Sequence, residues 1–595
     1  MSKTSRSIIL LALLVLFAAP LHAGSVTVTW DSNTEADIVG YTVFYGTQSG
    51  IYTTSRSVGN FTIWTAEDLT EGQTYYFAVQ ALSGDGLTSP LSQEVSTTIP
   101  GIATTGETIP GIATTGETIP GTATTGETET QWMTRFGITD MSGDSDGDGV
   151  SNRDEYLAGT DPNVPNTWML AEGATGFFKV RLAITNPGSD QADITVKFLR
   201  EGTTPITQQY SIPGMSRRTI NSSDVPGLEY ISFSTEITTQ RGGVLVERTM
   251  TWGGAEKMDS AHTGKAVSRP RTEWYFAEGD ARNFETYLLL ANSNADDVNV
   301  EVSYFLDNGQ MVHDSYGVGA NQRRTVYTNN VPGLLGASFS MSVVASAPIT
   351  AERAMYFSTA DTWYKGGTDS AGVEAPATQW FIAEGHTGEM FSEYILLFNP
   401  SQATATATIR YLRPVGPVVT RTYTLNPASR TTIFVNDIPG LESTDVSASI
   451  TSTLPIIAER SMYWPGRWGQ WYEGHNAAAL SAIGTQWALA EGETGGDRNA
   501  ISYILMANPT EQDATVNVTI IRDNGLAPVV VGRKVKANSR LTMNSTELPL
   551  ASGEQFGVLV ESTNGVPIAV ERAMYWDGAG KHWSAGTSET GFLLK

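Results

Sequence analysis

One short motif is written four times in this chain: Trp-x-x-Ala-Glu-Gly, at Trp168–Gly173, Trp274–Gly279, Trp380–Gly385 and Trp487–Gly492, spaced 106, 106 and 107 residues apart. Each copy later reaches a Glu-Arg step, at Glu247-Arg248, Glu352-Arg353, Glu459-Arg460 and Glu571-Arg572, followed by a methionine and an aromatic residue. A period that long means one whole domain per repeat, not a solenoid turn or a propeller blade. The expectation is a string of like beads. Such strings reach, display or bind, and a catalytic centre repeated four times is not expected of them.

In the third repeat, alternating apolar runs occupy Tyr394–Phe398, Thr404–Leu412, Val418–Leu425, Arg430–Val435, Val446–Ile450 and Ile456–Trp464, behind an opening segment at Trp380. Asn399-Pro400 and Pro439-Gly440 punctuate them, and no helical period emerges. The expected fold class is all-β, tandem antiparallel β-sandwiches. In the last run Ile456, Ala458, Arg460, Met462 and Trp464 share a face; Ile349 to Phe357 and Ile568 to Trp576 repeat the pattern. The recurrent Arg thus falls on the apolar face and its Glu neighbour on the opposite one.

A core-facing guanidinium requires a carboxylate, and the Glu of Ala-Glu-Gly recurs in every copy. The expected buried pairs, one inside each repeat, are Glu172–Arg248, Glu278–Arg353, Glu384–Arg460 and Glu491–Arg572. The alternative lays each Arg flat on the recurrent Trp with its head in solvent. Catalysis by that Glu would need a second carboxylate at a set distance, so no enzyme is expected. Arg217, Arg323, Arg430 and Arg540, which follow Ser or Gln, read as surface packing on a strand.

The start of the chain reads as an export signal over residues 1–23: Lys3 and Arg6, an apolar run Ile8–Ala19, and a cleavage site at Leu21-His22-Ala23. The run is too short to span a bilayer comfortably, and no later one is longer. With no cysteine there is no disulfide, thiolate metal site or Cys nucleophile. Exported domains of this kind stand on core burial alone, which units of about 100 residues can supply. The net charge of −25 is broken by no basic block, so nucleic acid is not an expected partner.

Residues 24–98 alternate in short runs, with Val26, Val28 and Trp30, then Tyr41, Val43 and Tyr45, then Tyr75, Phe77, Val79 and Ala81. Trp30, Tyr41-x-Val43-x-Tyr45 and Leu69-x-x-Gly72-x-x-Tyr75-x-Phe77 resemble a fibronectin type III domain, which implies a β-sandwich and says little about function. A decapeptide repeat with Pro100, Pro110 and Pro120 fills 99–130, a spacer that would reach roughly 100 Å if extended.

Within the segment 131–166, residues 144–155 read Asp-Ser-Asp-Gly-Asp-Gly-Val-Ser-Asn-Arg-Asp-Glu. Calcium takes six to eight hard oxygens, and this spacing offers them from Asp144, Asp146, Asp148, the Val150 carbonyl, Asn152 and Glu155. Gly149 permits the sharp turn. With Tyr156-Leu-Ala-Gly-Thr-Asp-Pro162 behind it, the loop resembles thrombospondin type 3 and dockerin-like calcium repeats, which implies a structural calcium ion. A dockerin carries two such loops; one is present.

The repeats occupy 167–272, 273–378, 379–485 and 486–595, and resemble repeats with the same signature in uncharacterised exported bacterial proteins. Between strands of the third lies a ring-rich loop with Trp464, Trp468, Trp471 and Tyr472, suited either to stacking on a glycan or to covering the next repeat. His262, His475 and His582 sit in the corresponding loops and read as hydrogen-bonding residues. The expected function is non-catalytic interaction or adhesion at the cell surface or outside the cell, with an extracellular protein or glycan as partner. The alternative is a carbohydrate-binding accessory to polysaccharide breakdown.

Overall fold

The computed structural model describes residues 26–30, 38–59, 63–66, 69, 73–83, 87–98, 129–143, 145–146, 151–158, 160–163, 166–253, 259–359, 362–465, 471–523, 526–578 and 581–595. The expected export signal and the decapeptide tract up to residue 128 lie outside them. The chain divides into two compact units, residues 1–120 and 121–595.

In the first unit, Val26–Thr29 pairs with Ile63–Ala66, and a second sheet runs in the order Thr54–Gly59, Ile38–Gly46, Thr74–Ser83, Val95–Thr98. Val28, Trp30, Tyr41, Val43, Leu69, Phe77, Val79 and Ala81 fill the space between, with the Trp30 and Tyr41 rings edge-on at 5.6 Å. The alternating residues of the sequence are the core.

The second unit opens with two short helices, Glu129–Phe136 and Asn152–Ala158, packed through Trp132, Ile138 and Met141. Four all-β repeats follow. The first sets the pattern of two four-stranded antiparallel sheets. One is ordered Thr203–Ile212, Ala192–Arg200, Phe233–Arg241, Thr167–Leu170; the other Ser216–Asn221, Lys179–Asn186, Leu245–Trp252, Ser260–Lys265. In the second and third repeats Phe339–Thr359 and Ser447–Trp464 run as single strands through both sheets. The two runs expected at Val446–Ile450 and Ile456–Trp464 are thus one strand.

Each repeat ends in a closing strand that the apolar pattern did not announce: Ser260–Lys265, Thr362–Ala371, Glu473–Ala478 and Lys581–Thr590. These strands are rich in Gly, Ser, Thr and His. The four pack side by side around a common axis, first against second, second against third, third against fourth and fourth against first. Gly366 marks how close they come: a Cβ there would lie 2.9 Å from the Glu473 Cα.

The beads are therefore not a string. Each repeat lays its second sheet on the preceding one, and the first lays its own on the fourth. Ala171, Trp252 and Phe178 of the first repeat meet Leu289, Ala291, Ala354, Tyr356 and Tyr364 of the second. Phe284 and Phe357 of the second meet Tyr463 and Trp471 of the third. Phe391 and Trp464 of the third meet Leu505, Ala569 and Tyr575 of the fourth. Ala488, Ala490 and Phe592 of the fourth join the core of the first.

Candidate functional site: the interlocked charges of the ring and the calcium loop

Every residue of the strand Leu245–Trp252 is buried, on both faces. One face completes its own sandwich and the other meets a neighbouring repeat. The Glu of each Glu-Arg step, read from the sequence as simply facing away from the core, enters the Ala-Glu-Gly turn of the preceding repeat. Glu352 accepts from the backbone N–H of Ala171 at 2.8 Å and of Glu172 at 3.1 Å. Glu459 accepts from Ala277 N at 2.6 Å, Glu571 from Ala383 N at 2.7 Å, and Glu247 from Ala490 N at 2.7 Å. That last contact joins the fourth repeat to the first.

The same carboxylates take the recurrent guanidinium groups. Arg248 lies 2.7 Å from Glu352, Arg353 2.7 Å from Glu459, Arg460 3.4 Å from Glu571, and Arg572 2.7 Å from Glu247. The Glu of the signature stands further off in most copies. Arg248–Glu172 is 3.5 Å, Arg353–Glu278 4.0 Å and Arg460–Glu384 3.0 Å. Glu491 turns to the first repeat, pairing with Arg181 and reaching Arg217 at 4.0 Å. The tightest partner of Arg248, Arg353 and Arg572 among the interlocked Glu pairs is thus borrowed from the next repeat. Reading each repeat as a closed unit hid this.

The second arginine series is a correction as well. Arg217, Arg323 and Arg540 are buried, and these side chains do not lie on a free surface. Arg217 Nε donates to Ala490 O at 3.1 Å, Arg430 Nη1 to Gly279 O at 3.1 Å, and Arg540 Nη1 to Gly385 O at 2.6 Å. Each clamps the signature turn of the preceding repeat from the other side.

Burial dominates the electrostatics. It raises Glu384 despite Arg460 and lifts Glu571 to about 7. Glu393, an acid without counterpart in the other copies (Val180, Thr286 and Ser502 hold its place), is pushed up to about 8 by burial, which outweighs Arg460 and Arg540. In Glu491 burial also opposes ionisation, but Arg181, Arg572 and Arg217 outweigh it and hold the carboxyl down at about 2. At the ring axis Glu473 is fully buried and accepts backbone N–H bonds from Ala261, Gly367 and Gly474, each at 3.0 Å.

The ring-rich loop is largely spent on packing. Trp464 is not an exposed ring: it is buried and donates from its indole to Trp583 O at 2.7 Å. Trp471 stacks on Tyr463 with centroids 4.4 Å apart, and Tyr472 is half-buried under Lys581. Trp468 lies outside the described residues. His262 and His475, expected in loops, are buried on closing strands; His582 lies exposed at the start of one. Their burial and strand placement follow from the ring, which no local pattern encodes.

In the calcium loop, Asp144, Asp148 and Val150 lie outside the described residues. Asn152 and Glu155 are buried on the second helix. Asn152 Nδ2 donates to Asp140 O at 2.6 Å, and Glu155 Oε1 accepts from Asn166 Nδ2 at 2.9 Å. Arg135 reaches Asp190 of the first repeat at 2.7 Å. The helix before the loop is thus tied to the first repeat.

Two family models match the chain: the fibronectin type III domain over residues 16–98 and the bacterial TSP3 repeat over residues 144–165. Both modules are typical of extracellular proteins, and no helix among the described residues is long and apolar enough to cross a membrane. No curated protein matches the chain in sequence. Among solved structures, one described as a myokine structure is 23% identical, covers 16% of this chain and 100% of its own, with a TM-score of 0.14. The protein 1070 of Thermotoga maritima is 15% identical over 18% of this chain and 96% of its own, TM-score 0.17. The Anabaena sensory rhodopsin transducer is 20% identical over 14% and 91%, TM-score 0.13. The fold is that of a modular, all-β protein of extracellular type.

Removing one borrowed carboxylate leaves a buried guanidinium without its nearest counter-ion. Glu459→Ala is expected to cost about 3–5 kcal/mol, read by denaturant unfolding of the full chain. Glu393 gives a pH test. Its folded value lies above the ordinary carboxylate range, so it favours the folded state at low pH and the benefit is lost as pH rises toward about 8. Glu393→Gln is therefore expected to match the wild type in melting temperature near pH 4.5 and to exceed it increasingly up to pH 8.

Proposed function

We propose that this is a non-catalytic, exported interaction protein whose four repeats form one preorganised head, with a calcium clip between the head and the spacer. The carrying observation is where the recurrent chemistry points. Glu172, Glu278, Glu384 and Glu491 are all buried between repeats, out of reach of any substrate. The shared residues serve closure, and what faces outward differs from copy to copy.

Three large apolar side chains stand out at positions that the other repeats fill differently: Tyr230 at 89% exposure, Leu335 at 77% and Val415 at 84%. Apolar side chains on loops carried by a rigid scaffold are the usual anchors of recognition. The partner class that suits them is an extracellular protein or glycan at the cell envelope. Replacing all three by Ser is expected to weaken capture of the full chain by envelope fractions about tenfold, roughly 1.4 kcal/mol, without moving the melting temperature. Unchanged capture would remove these side chains from the account. Glycan-array binding lost in Trp468→Ala would replace this reading with carbohydrate recognition.

The calcium site rests on the oxygen spacing of the loop and on the calcium-binding character of the TSP3 family. Extracellular sites of this kind bind on the order of 0.1–1 mM. Millimolar calcium is expected to protect residues 144–165 of the full chain from proteolysis, and Asp146→Asn to abolish that protection. Equal cleavage with and without calcium would overturn it.

A further inference from the structure

The four interfaces are near copies, so the place where one departs from the rest is informative. Between the second and third repeats the design closes on itself. Asn476 Oδ1 accepts from Arg353 at 2.8 Å, while its Nδ2 donates to Glu278 at 2.9 Å and Ser461 at 2.9 Å. Between the first and second repeats the same strand position carries Asp369, paired opposite Ala354 as Asn476 is opposite Ser461. Asp369 Oδ2 meets Arg248 at 2.5 Å. Asp369 Oδ1 therefore stands in for the amide nitrogen of Asn476. It is an acceptor where the sister interface has a donor, and it has no hydrogen-bond partner.

The same interface brings in a histidine. Its counterpart between the third and fourth repeats, His475, has Nδ1 satisfied by Ser588 Oγ at 3.0 Å. Ser588 pairs opposite Ala573, in the register that Asp369 has opposite Ala354. In the first interface, then, His262 Nδ1 belongs beside Asp369. It too is without a partner, and both residues are 1% exposed.

The tautomer follows from the neighbours. Tyr356 Oη donates to Glu172 Oε1 at 2.9 Å and lies 2.9 Å from His262 Nε2. Its one proton is spent on the carboxylate, so Nε2–H is the donor of the second contact and Nδ1 keeps its lone pair. One ligand atom from each of Glu172, His262 and Asp369 lies within 4.8 Å of the others. Two buried lone-pair atoms without a donor thus share one interface with the Glu172 carboxylate, whose Oε2 lies 3.6 Å from His262 Nε2, close enough for an ion with bonds of about 2.0–2.2 Å to draw the three side chains together.

We propose that Glu172, His262 and Asp369 bind a divalent first-row transition ion, of the zinc or manganese class, at the interface of the first and second repeats. The donor set suits that class: one neutral imidazole and two carboxylates. Tyr356 orients the imidazole from behind. Charge favours it too. Three carboxyl groups, Glu172, Glu352 and Asp369, face two guanidinium groups, Arg248 and the nearby Arg323, and a divalent ion would take the place of the proton that burial favours on Asp369. The ion would enter as the ring closes and pin the first interface.

The sister repeats supply the control substitutions. Asn occupies the Asp369 position at 476, and Thr occupies the His262 position at 368 and 587, so Asp369→Asn and His262→Thr are expected to fold. The full chain, refolded with zinc and desalted, is expected to retain about one equivalent of zinc by mass spectrometry. Refolded with cobalt, it should show visible d–d absorption. Both signals should be lost in Asp369→Asn and His262→Thr and kept in Asp146→Asn of the calcium loop. Absence of bound zinc in the wild type, or equal zinc in the two variants, would overturn the site and leave Asp369 holding a proton in place of the ion.

Discussion

Each repeat of this protein lends its neighbour a carboxylate, and the rest of the structure depends on that loan. The Glu of a Glu-Arg step takes the alanine N–H of the preceding Ala-Glu-Gly turn with one oxygen and, in three of the four joints, the preceding Arg with the other at 2.7 Å. Removing two charges from water is costly, and a buried ion pair often gains little net stability over apolar side chains. Its physical role here is selection. Four similar sandwiches could bury their second sheets in many relative registers, but only one brings donor, carboxylate and guanidinium together. The head-to-tail contact closes because the fourth application of it returns to the first repeat.

Departures from fourfold likeness concentrate at two places. The joints between consecutive repeats are lined by stacked rings, Tyr356 on Tyr364, Tyr463 on Trp471 and Tyr575 on Trp583. At the seam between the fourth and first repeats Thr251 replaces that tyrosine, and Arg181 stands where the others have Tyr287, Tyr394 and Tyr503. Ion pairs from Arg181 to Glu491 and Glu493, and from Arg217 to Asp523, fasten it instead. This seam joins parts of the chain most distant in sequence, and charge gives it a partner preference that flat apolar faces lack. The second place is the axis. There the backbone N–H groups of equivalent residues converge, and one repeat alone, through Glu473, supplies the carboxyl group that accepts from three of them.

Much of this was legible in the sequence, in parts. Period, strand alternation and turn residues gave the sandwich class, and alternation placed Trp30, Tyr41 and Val43 in the first core. Parity put the recurrent arginines inside. The error lay in treating the Glu beside each Arg as idle. Two facts pointed the other way: a charge that recurs on both faces of a strand in every copy, and the unbroken apolar runs Leu288–Ala291, Ile395–Phe398 and Ile504–Ala507. Runs of that kind mark a strand covered on both sides. The closing strands were not legible because Gly, Ser and His carry no strand signal; each is held by pairing with a Glu-Arg strand and by the closing strands beside it.

The sequence by itself determined what is local or periodic: the all-β class, the repeat length, the calcium-loop spacing and the inward turn of Arg248, Arg353, Arg460 and Arg572. Side-chain alternation is a property of a single strand, so one strand suffices to reveal it. Tertiary structure alone decided that the beads close into a ring, that each Arg is paired across a joint, and that His262 and Asp369 meet beside Glu172. Those contacts join residues 90 or more positions apart, and their geometry is set by the angle at which one sandwich packs on the next. No pattern within a repeat records that angle.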